Sequence, residues 1–592
     1  MIQIVLIHRR DPEDAKFVNF FAIFASLHNN LTGFIVLLMK QLLEHLILQA
    51  LTSAYESGAI SSPAFPEIVI EVPKILSHGD YSSNIAMASA VIQKMPPRKI
   101  AEAIVKYISN TGRLIDRMDI AGPGFINFYL NPESWIDFLK KVHEQGIRYG
   151  AVNVGRGKRI QVEFVSSNPT GPLHVGHGRG AAVGDSIANI LSFCGYDVQK
   201  EYYINDSGRQ INTLGRSVFL RYQELLGESV RFPDDCYQGE YIKEIAARIV
   251  DLKGPELLDQ PDEKAVMFCA RYAANLILVE MKQDLESFGV IFDRWFSEQA
   301  LYDSGKVASV IESFRKRNII YEKDGALWFD TTSHGDEKDR VVVRQNGQTT
   351  YFASDIAYHY DKYDRGFEKV IDVWGADHHG YIPRVTAAIV SGGYRKEQFH
   401  VILVQLVSLL RAGTPVAMST RAGEFVTLRD VIQEVGKDAA RFIFLTRSSD
   451  NTLDFDLELA KQKTNDNPVY YVQYVHARIC SIIRKSTELE KMEISCSDSA
   501  LCLLNTAEDI SLIKMMIKYP ETVRFSAEMM EPHRITFYLM ELAAAFHAYY
   551  NRRRVLTDDP LMTHARLYLI TAVRQVIANG LSLLGVSAPE SM

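Results

Sequence analysis

Between residues 159 and 193 the chain carries a pattern that few folds accommodate. An apolar run, Ile160 to Val165, reads as a strand and is followed by the Pro/Gly turn Ser166-Ser167-Asn168-Pro169-Thr170-Gly171-Pro172, then by a helix from about His177 to Phe193. Strand, turn and helix in this order open an α/β nucleotide fold, in which ligands gather at the carboxyl ends of the strands. The turn delivers His174-Val175-Gly176-His177 to a helix N-terminus, where unpaired N–H groups and the positive end of the helix dipole suit a polyphosphate. His174 and His177, three apart, face one side and add donors, while Gly176 lacks a Cβ and lets an adenine ring pack on the backbone. A bare His-x-Gly-His tetrapeptide is common by chance; the strand and turn before it and the long helix after it give it weight.

A chain of 592 residues holds more than one core, about three or four domains at roughly 100 to 200 residues each. Residues 1–38 read as an extension without a functional motif. Its apolar runs, Phe17 to Leu27 and Leu31 to Leu38, are split by His28-Asn29-Asn30, so neither reaches the roughly 20 residues of a membrane span. Arg9-Arg10 followed by the acidic Asp11 to Asp14 does not make a secretory signal. From Met39, with Leu42, Leu43, Leu46, Ile47, Ala50 and Leu51 at helical spacing, to residue 150 the pattern is a compact α+β module that includes the alternating Phe125 to Leu130. Residues 151–435 alternate helices with strands, and residues 436–592 read as almost wholly helical, without strand alternation, as expected of a bundle.

A content of 47% hydrophobic and 23% charged residues excludes a disordered chain, a collagen or a membrane bundle. The net charge of −7 does not exclude RNA, since binding needs only a local basic face. The six cysteines, Cys194, Cys236, Cys269, Cys480, Cys496 and Cys502, form no close zinc-binding pairs and read as reduced, mostly buried thiols of a cytoplasmic protein.

The block Ser166 to His177 resembles the signature of class I aminoacyl-tRNA synthetases, whose histidines contact the phosphates of ATP. The arginine-specific members are resembled in particular by Tyr202-Tyr203-Ile204-Asn205-Asp206-Ser207-Gly208-Arg209-Gln210, by Tyr351 to His359 and by Gly375-Ala376-Asp377-His378-His379-Gly380-Tyr381. The likeness runs from about Met39 to Met592. It implies a multidomain α/β protein: a Rossmann-like, doubly wound catalytic domain (151–435), an N-terminal tRNA-binding module (39–150) and a C-terminal all-α anticodon-binding bundle (436–592). It further implies joining of arginine to its tRNA through an arginyl-adenylate, with ATP and Mg²⁺ as the substrate complex, no protein-bound zinc, no membrane association, and a monomer.

A guanidinium never loses its charge, so a pocket selective for arginine needs carboxylates and an aromatic wall. Glu163, at the carboxyl end of the first strand, and Asp355 are the candidates for charge. Read alone, Tyr351 and Asp355, four apart, are a pair on a surface helix; by resemblance Tyr351 walls the pocket, Asp355 meets the guanidinium and Asn168 holds the amino acid's polar head. His379, with His378 beside it, falls where the family lines this pocket.

One departure stands out. Where class I enzymes carry Lys-Met-Ser-Lys-Ser, this chain reads Ala417-Met418-Ser419-Thr420-Arg421, with both lysines replaced, and the position just ahead of the His-x-Gly-His where some arginine enzymes place a lysine is Gly171. The resemblance then leaves Met418 and Ser419 at the nucleotide and Arg421 as the nearest cation for the leaving pyrophosphate.

For RNA, Asp438-Ala439-Ala440-Arg441 resembles the Asp-Ala-Leu-Arg mark of arginine-type anticodon domains. Tyr470, Tyr474 and Arg478 on the following helix suit stacking and phosphate contacts, as does the run Arg552-Arg553-Arg554. Asn84, Phe125 and Asn127 fall in the parts of the N-terminal module that resemble the family's tRNA-binding segments. A cysteine-specific synthetase would need zinc ligands that cannot be assembled here. A small-molecule nucleotidyltransferase would not need the long helical region, and a tRNA-binding paralogue without catalysis would fit the missing loop lysines.

Overall fold

The computed structural model describes residues 34–73, 75, 78–108, 114–206, 208–416, 426–490 and 497–592. The chain divides into two compact units: one takes the described part of Met1–Asn153 with Ile483–Arg524 and Ala544–Asn579, the other Val154–Ile482 with Phe525–Ala543 and Gly580–Met592.

In the first unit helix α1 runs Phe34–Glu56 and buries Leu43, Ile47, Ala50 and Leu51. The helix therefore includes residues 34–38, which the sequence reading had assigned to the extension. Nothing between Phe34 and Met39 is a glycine or proline, so no local breaker stops the helix there. A four-stranded antiparallel sheet follows, in the order β1 (Ile70–Glu71), β2 (Tyr81–Ser83), β4 (Phe125–Leu130), β3 (Ile115–Ala121). Helices α2 (Ile85–Gln93) and α3 (Pro97–Tyr107) lie between β2 and β3 in the chain, and α4 (Pro132–Gln145) follows β4. In β4 the expected alternation gives way to near-continuous burial: Ile126 and Phe128 are buried, and so is Asn127.

The second unit is built on a parallel five-stranded sheet in the order β12 (Phe399–Val404), β11 (Lys369–Gly375), β5 (Arg159–Phe164), β6 (Asp197–Ile204), β7 (Arg294–Ser297). β5 is central, and helix α5 (Val175–Phe193) crosses from it to β6. Close packing of α5 on β5 depends on Gly184: a Cβ there would lie 2.3 Å from Phe164 Cγ. Helices α6 (Arg209–Leu225), α7 (Glu240–Lys253) and α8 (Asp262–Ser287) follow β6, and a three-stranded antiparallel sheet of β8 (Ile320–Lys323), β9 (Ala326–Phe329) and β10 (Arg340–Val343) precedes α11 (Tyr351–Asp364). Between β7 and β8 lie the short helices α9 (Glu298–Asp303) and α10 (Lys306–Lys316).

A fourth sheet takes one strand from residues 436–592, which the sequence reads as almost wholly helical without strand alternation. β13 (Val407–Arg411) pairs with β14 (Thr414–Pro415) and, in parallel, with β15 (Leu453–Asp456). Four residues are too few to announce an alternation. Long helices dominate after it, among them Pro468–Glu490, His533–Arg552 and Pro560–Leu583. Cys194, Cys236, Cys269 and Cys480 are buried and Cys502 is exposed. Among the described residues no helix is long and apolar enough to cross a membrane.

Candidate active site

The carboxyl end of β5 is shaped by two consecutive left-handed residues, Val165 (φ 67°) and Ser166 (φ 40°). A β-branched valine in this region is strained, and such strain persists only where its surroundings fix it. Here they do: Ser166 Oγ donates to Glu163 Oε1 (2.9 Å) and accepts from Tyr203 N (3.1 Å), while the Tyr202 hydroxyl donates to Ser167 O (2.8 Å). The next side chain along, Asn168, donates to Gln210 Oε1 at the start of α6.

His174 is the N-cap of α5. Its Nδ1 accepts from Gly176 N (3.1 Å), and His177 Nδ1 accepts from His174 N (3.2 Å), so the two rings cap the first turn reciprocally. The rings stack with centroids 3.7 Å apart. A Cβ on Gly176 would lie 3.0 Å from His174 Cε1, so this glycine lets the His174 ring fold over the helix start. Burial holds the His174 imidazole below its usual range and pushes His177 down to about 3, with the neighbouring His174 adding to the fall. Both imidazoles are therefore neutral near pH 7. With each Nδ1 accepting from backbone, the tautomer that fits carries its hydrogen on Nε2, a donor suited to phosphate oxygen.

On α11, Tyr351 begins the helix and is 50% exposed, with its hydroxyl close to Gly208 in the turn after β6. That turn is tied down by Asp206, which accepts from Ser297 Oγ (2.6 Å) and Gln299 N (3.0 Å). One turn further, the Asp355 carboxylate accepts from the Tyr381 hydroxyl. Burial pushes the Asp355 carboxyl up to about 6; the Tyr381 hydroxyl opposes the rise, and the nearby Glu163 charge is among the causes that add to it. Glu163 is 7% exposed, and its Oε2 accepts from Lys362 Nζ at 2.5 Å. Burial raises its pKa, with Lys362 opposing. The structure thus brings Glu163, Asn168, Tyr351 and Asp355 to the ends of adjacent elements in one unit. His379 is exposed in the short turn Ala376–Tyr381, and His378 beside it lies 3.5 Å from Asp377. Met418, Ser419 and Arg421 lie outside the described residues.

Several residues that matter here were not singled out by the sequence. Glu163 pairs in register with Asp372 of β11 and with Glu201 of β6, which sets three carboxylates in a row across three strands. Helix α11 answers with His359, Lys362 and Arg365, three apart, from its face and its C-terminal end. The signal was present in the sequence as acidic residues inside apolar strands, in Lys200-Glu201-Tyr202-Tyr203-Ile204 and Val370-Ile371-Asp372-Val373-Trp374, where a buried charge demands a partner.

Of the candidates for RNA, Asn84 is exposed and Phe125 is 38% exposed. Asn127 is corrected: it is 4% exposed and its Oδ1 accepts from Ser82 Oγ (2.8 Å), so its side chain supports the sheet and offers no surface to RNA. Tyr470 and Tyr474 are half-buried and stacked 5.9 Å apart, with Arg478 one turn on and also half-buried. The Asp438 to Arg441 block is an internal clamp. Arg441 is fully buried, forms an ion pair with Asp185 of α5 (2.5 Å) and donates to Leu584 O and Phe288 O, while Asp438 accepts from Gln473 and Ser587. Within the Arg552 to Arg554 run, Arg553 is paired with Glu508 (2.8 Å).

Three family models match the chain: "Arginyl tRNA synthetase N terminal domain" over residues 41–130, "tRNA synthetases class I (R), catalytic domain" over 139–464, and "DALR anticodon binding domain" over 472–592. Among curated proteins, the chain is 58% identical over 557 residues to an arginine–tRNA ligase of Desulfosudis oleivorans, covering 94% of this chain and 100% of the relative. It is 54% identical to that of Syntrophotalea carbinolica, with the same coverage. Among solved structures it resembles a putative arginyl-tRNA synthetase from Campylobacter jejuni (35% identity, TM-score 0.72, covering 78% of this chain and 100% of that one). The fold also matches Thermus thermophilus arginyl-tRNA synthetase (24% identity, TM-score 0.70, covering 93% and 100%).

Proposed function

The chain belongs to the class I arginyl-tRNA synthetase family, whose members are arginine–tRNA ligases, and from that premise we propose how its residues divide the reaction. The ligation has two steps. The arginine carboxylate attacks the α-phosphorus of ATP, forming arginyl-adenylate and releasing pyrophosphate; a terminal ribose hydroxyl of the tRNA then attacks the arginyl carbonyl, and AMP leaves. Neither step needs a protein nucleophile, so the gain comes from positioning and from donors aimed at developing charge.

In this reading the neutral His174 and His177 donate Nε2–H groups to the polyphosphate at the N-terminus of α5, and Gly176 admits the nucleotide close to the backbone. ATP enters as its magnesium complex. Ser419, Met418 and Arg421 are proposed at the nucleotide and leaving group in place of the absent lysines. Asp355 and Glu163 meet the guanidinium, Tyr351 walls its stem, Asn168 holds the polar head and His379 rims the pocket. Asn84 and Phe125 from the N-terminal module, with Tyr470, Tyr474 and Arg478, are the proposed tRNA contacts; the enzyme works in the cytoplasm as a monomer. The observation that carries the reading is the β5–α5 segment, which joins a carboxylate side chain, Glu163, to a pair of uncharged imidazoles, His174 and His177, across a single strained turn.

The test is ATP–pyrophosphate exchange with each of the twenty amino acids, with and without tRNA. Exchange with arginine alone, strongly dependent on tRNA, is expected. Exchange driven by another amino acid would overturn the assignment, and full exchange without tRNA would contradict the coupling.

A further inference from the structure

Three acidic side chains stand side by side in the central sheet: Asp372 on β11, Glu163 on β5 and Glu201 on β6. In a parallel sheet, residues in register share a face, and three unpaired carboxylates there would repel one another and lose their hydration. Each meets a basic residue of α11 or its end. His359 Nε2 lies 3.0 Å from Asp372 Oδ2; Lys362 Nζ donates to Glu163 Oε2 (2.5 Å) and Asp372 Oδ1 (2.9 Å); Arg365 donates to Glu201 from two nitrogens (2.5 and 2.8 Å). Both ring nitrogens of His359 face oxygen atoms, Asp372 Oδ2 and the Asp355 carbonyl (2.7 Å). Each carboxylate of the row thus has a basic side chain against it. Asp355 lies outside it, held by the Tyr381 hydroxyl.

Lys362 is the middle of the row and is fully buried. We propose that Lys362 is a positioning residue for arginine recognition: bridging Glu163 and Asp372, it keeps Glu163 ionised and pointed, with Ser166 Oγ holding the other oxygen, so that two fixed bonds leave the remaining acceptor positions of the carboxylate set for the guanidinium. This rests on the reading that Glu163 meets arginine. A buried ion pair adds little to stability against an apolar replacement, but it fixes geometry. The same helix carries Asp355, so the bridge also sets the spacing between the two carboxylates that read the fork.

The test compares arginine KM, ATP KM and kcat in wild type, Glu163→Gln, Lys362→Met/Glu163→Gln and Lys362→Met/Asp372→Asn. Both double variants remove one charge of each sign; Lys362→Met/Glu163→Gln leaves Asp372 beside His359, and Lys362→Met/Asp372→Asn leaves Glu163 held by Ser166 Oγ alone. Glu163→Gln is expected to raise arginine KM about tenfold or more. Lys362→Met/Glu163→Gln should match it with no further rise, and Lys362→Met/Asp372→Asn should raise arginine KM although Glu163 is intact. ATP KM should hold in all. An arginine KM unchanged in Lys362→Met/Asp372→Asn, or a further rise in Lys362→Met/Glu163→Gln beyond Glu163→Gln, overturns the proposal while leaving Glu163 in the pocket. An unchanged arginine KM in Glu163→Gln overturns both.

Discussion

His174 and His177 are held uncharged by burial, while Asp355, also buried, stays a carboxyl that ionises at about 6. The first pair faces the proposed polyphosphate and the second group the proposed guanidinium, so the two halves of the site treat opposite charges differently. Toward the anion the chain presents neutral N–H dipoles and a helix end, which need no counter-charge when the site is empty. Toward the cation it presents full charges, and most of these are neutralised internally by the α11 row. The difference teaches how a site can take in both ligands: Asp355 is held by the Tyr381 hydroxyl, and a guanidinium arriving beside it would lower its pKa from about 6.

The largest effect should come from the anion side. His174→Ala or His177→Ala is expected to slow arginine activation by about 10² or more, the scale of losing a preorganised donor, as read by pyrophosphate exchange; activity within about threefold of wild type would break the contrast at its first term. On the cation side, Asp355→Asn keeps the shape and removes a charge-assisted bond, costing about 1.5 to 3 kcal/mol in arginine affinity. Acid should do the same reversibly. The guanidinium stays charged throughout, so as pH falls through about 6 and Asp355 takes up its proton, arginine KM should climb toward about tenfold per pH unit, with ATP KM steady because His177 remains neutral there. A flat arginine KM down to pH 5 would place the titrating carboxyl elsewhere. The smallest effect is expected from deleting residues 1–33: aminoacylation should be unchanged, and a loss of soluble, active protein would show the segment to be structural.

The two halves were not equally legible in the sequence. The β5–α5 turn could be read because strand, turn, cap and helix lie within one short stretch, where local rules govern: apolar run, Pro/Gly punctuation, a histidine at the N-cap. Glu163 was legible as a carboxylate at a strand end, but not as one held by Lys362, because that partner lies 199 residues away on α11 and is met only through the tertiary fold. Asn127 misled for a related reason. The resemblance marked it as a tRNA contact, whereas the sheet buries it and Ser82 Oγ donates to its Oδ1. The Asp438 to Arg441 block was identified by resemblance, yet its role as a clamp on Asp185 emerges only from packing. β15 was missed since its pairing to β13 is set by tertiary contact and not by a four-residue pattern.

The contrast between a neutral anion site and a charged cation site is tested most directly by a crossed measurement: arginine KM, ATP KM and the exchange rate at saturating substrate in His177→Ala and Asp355→Asn, side by side. The account predicts that Asp355→Asn raises arginine KM and leaves ATP KM in place, while His177→Ala lowers the saturated rate and leaves arginine KM in place. A rise of ATP KM in Asp355→Asn equal to that for arginine, or a shift of arginine KM in His177→Ala, would contradict it.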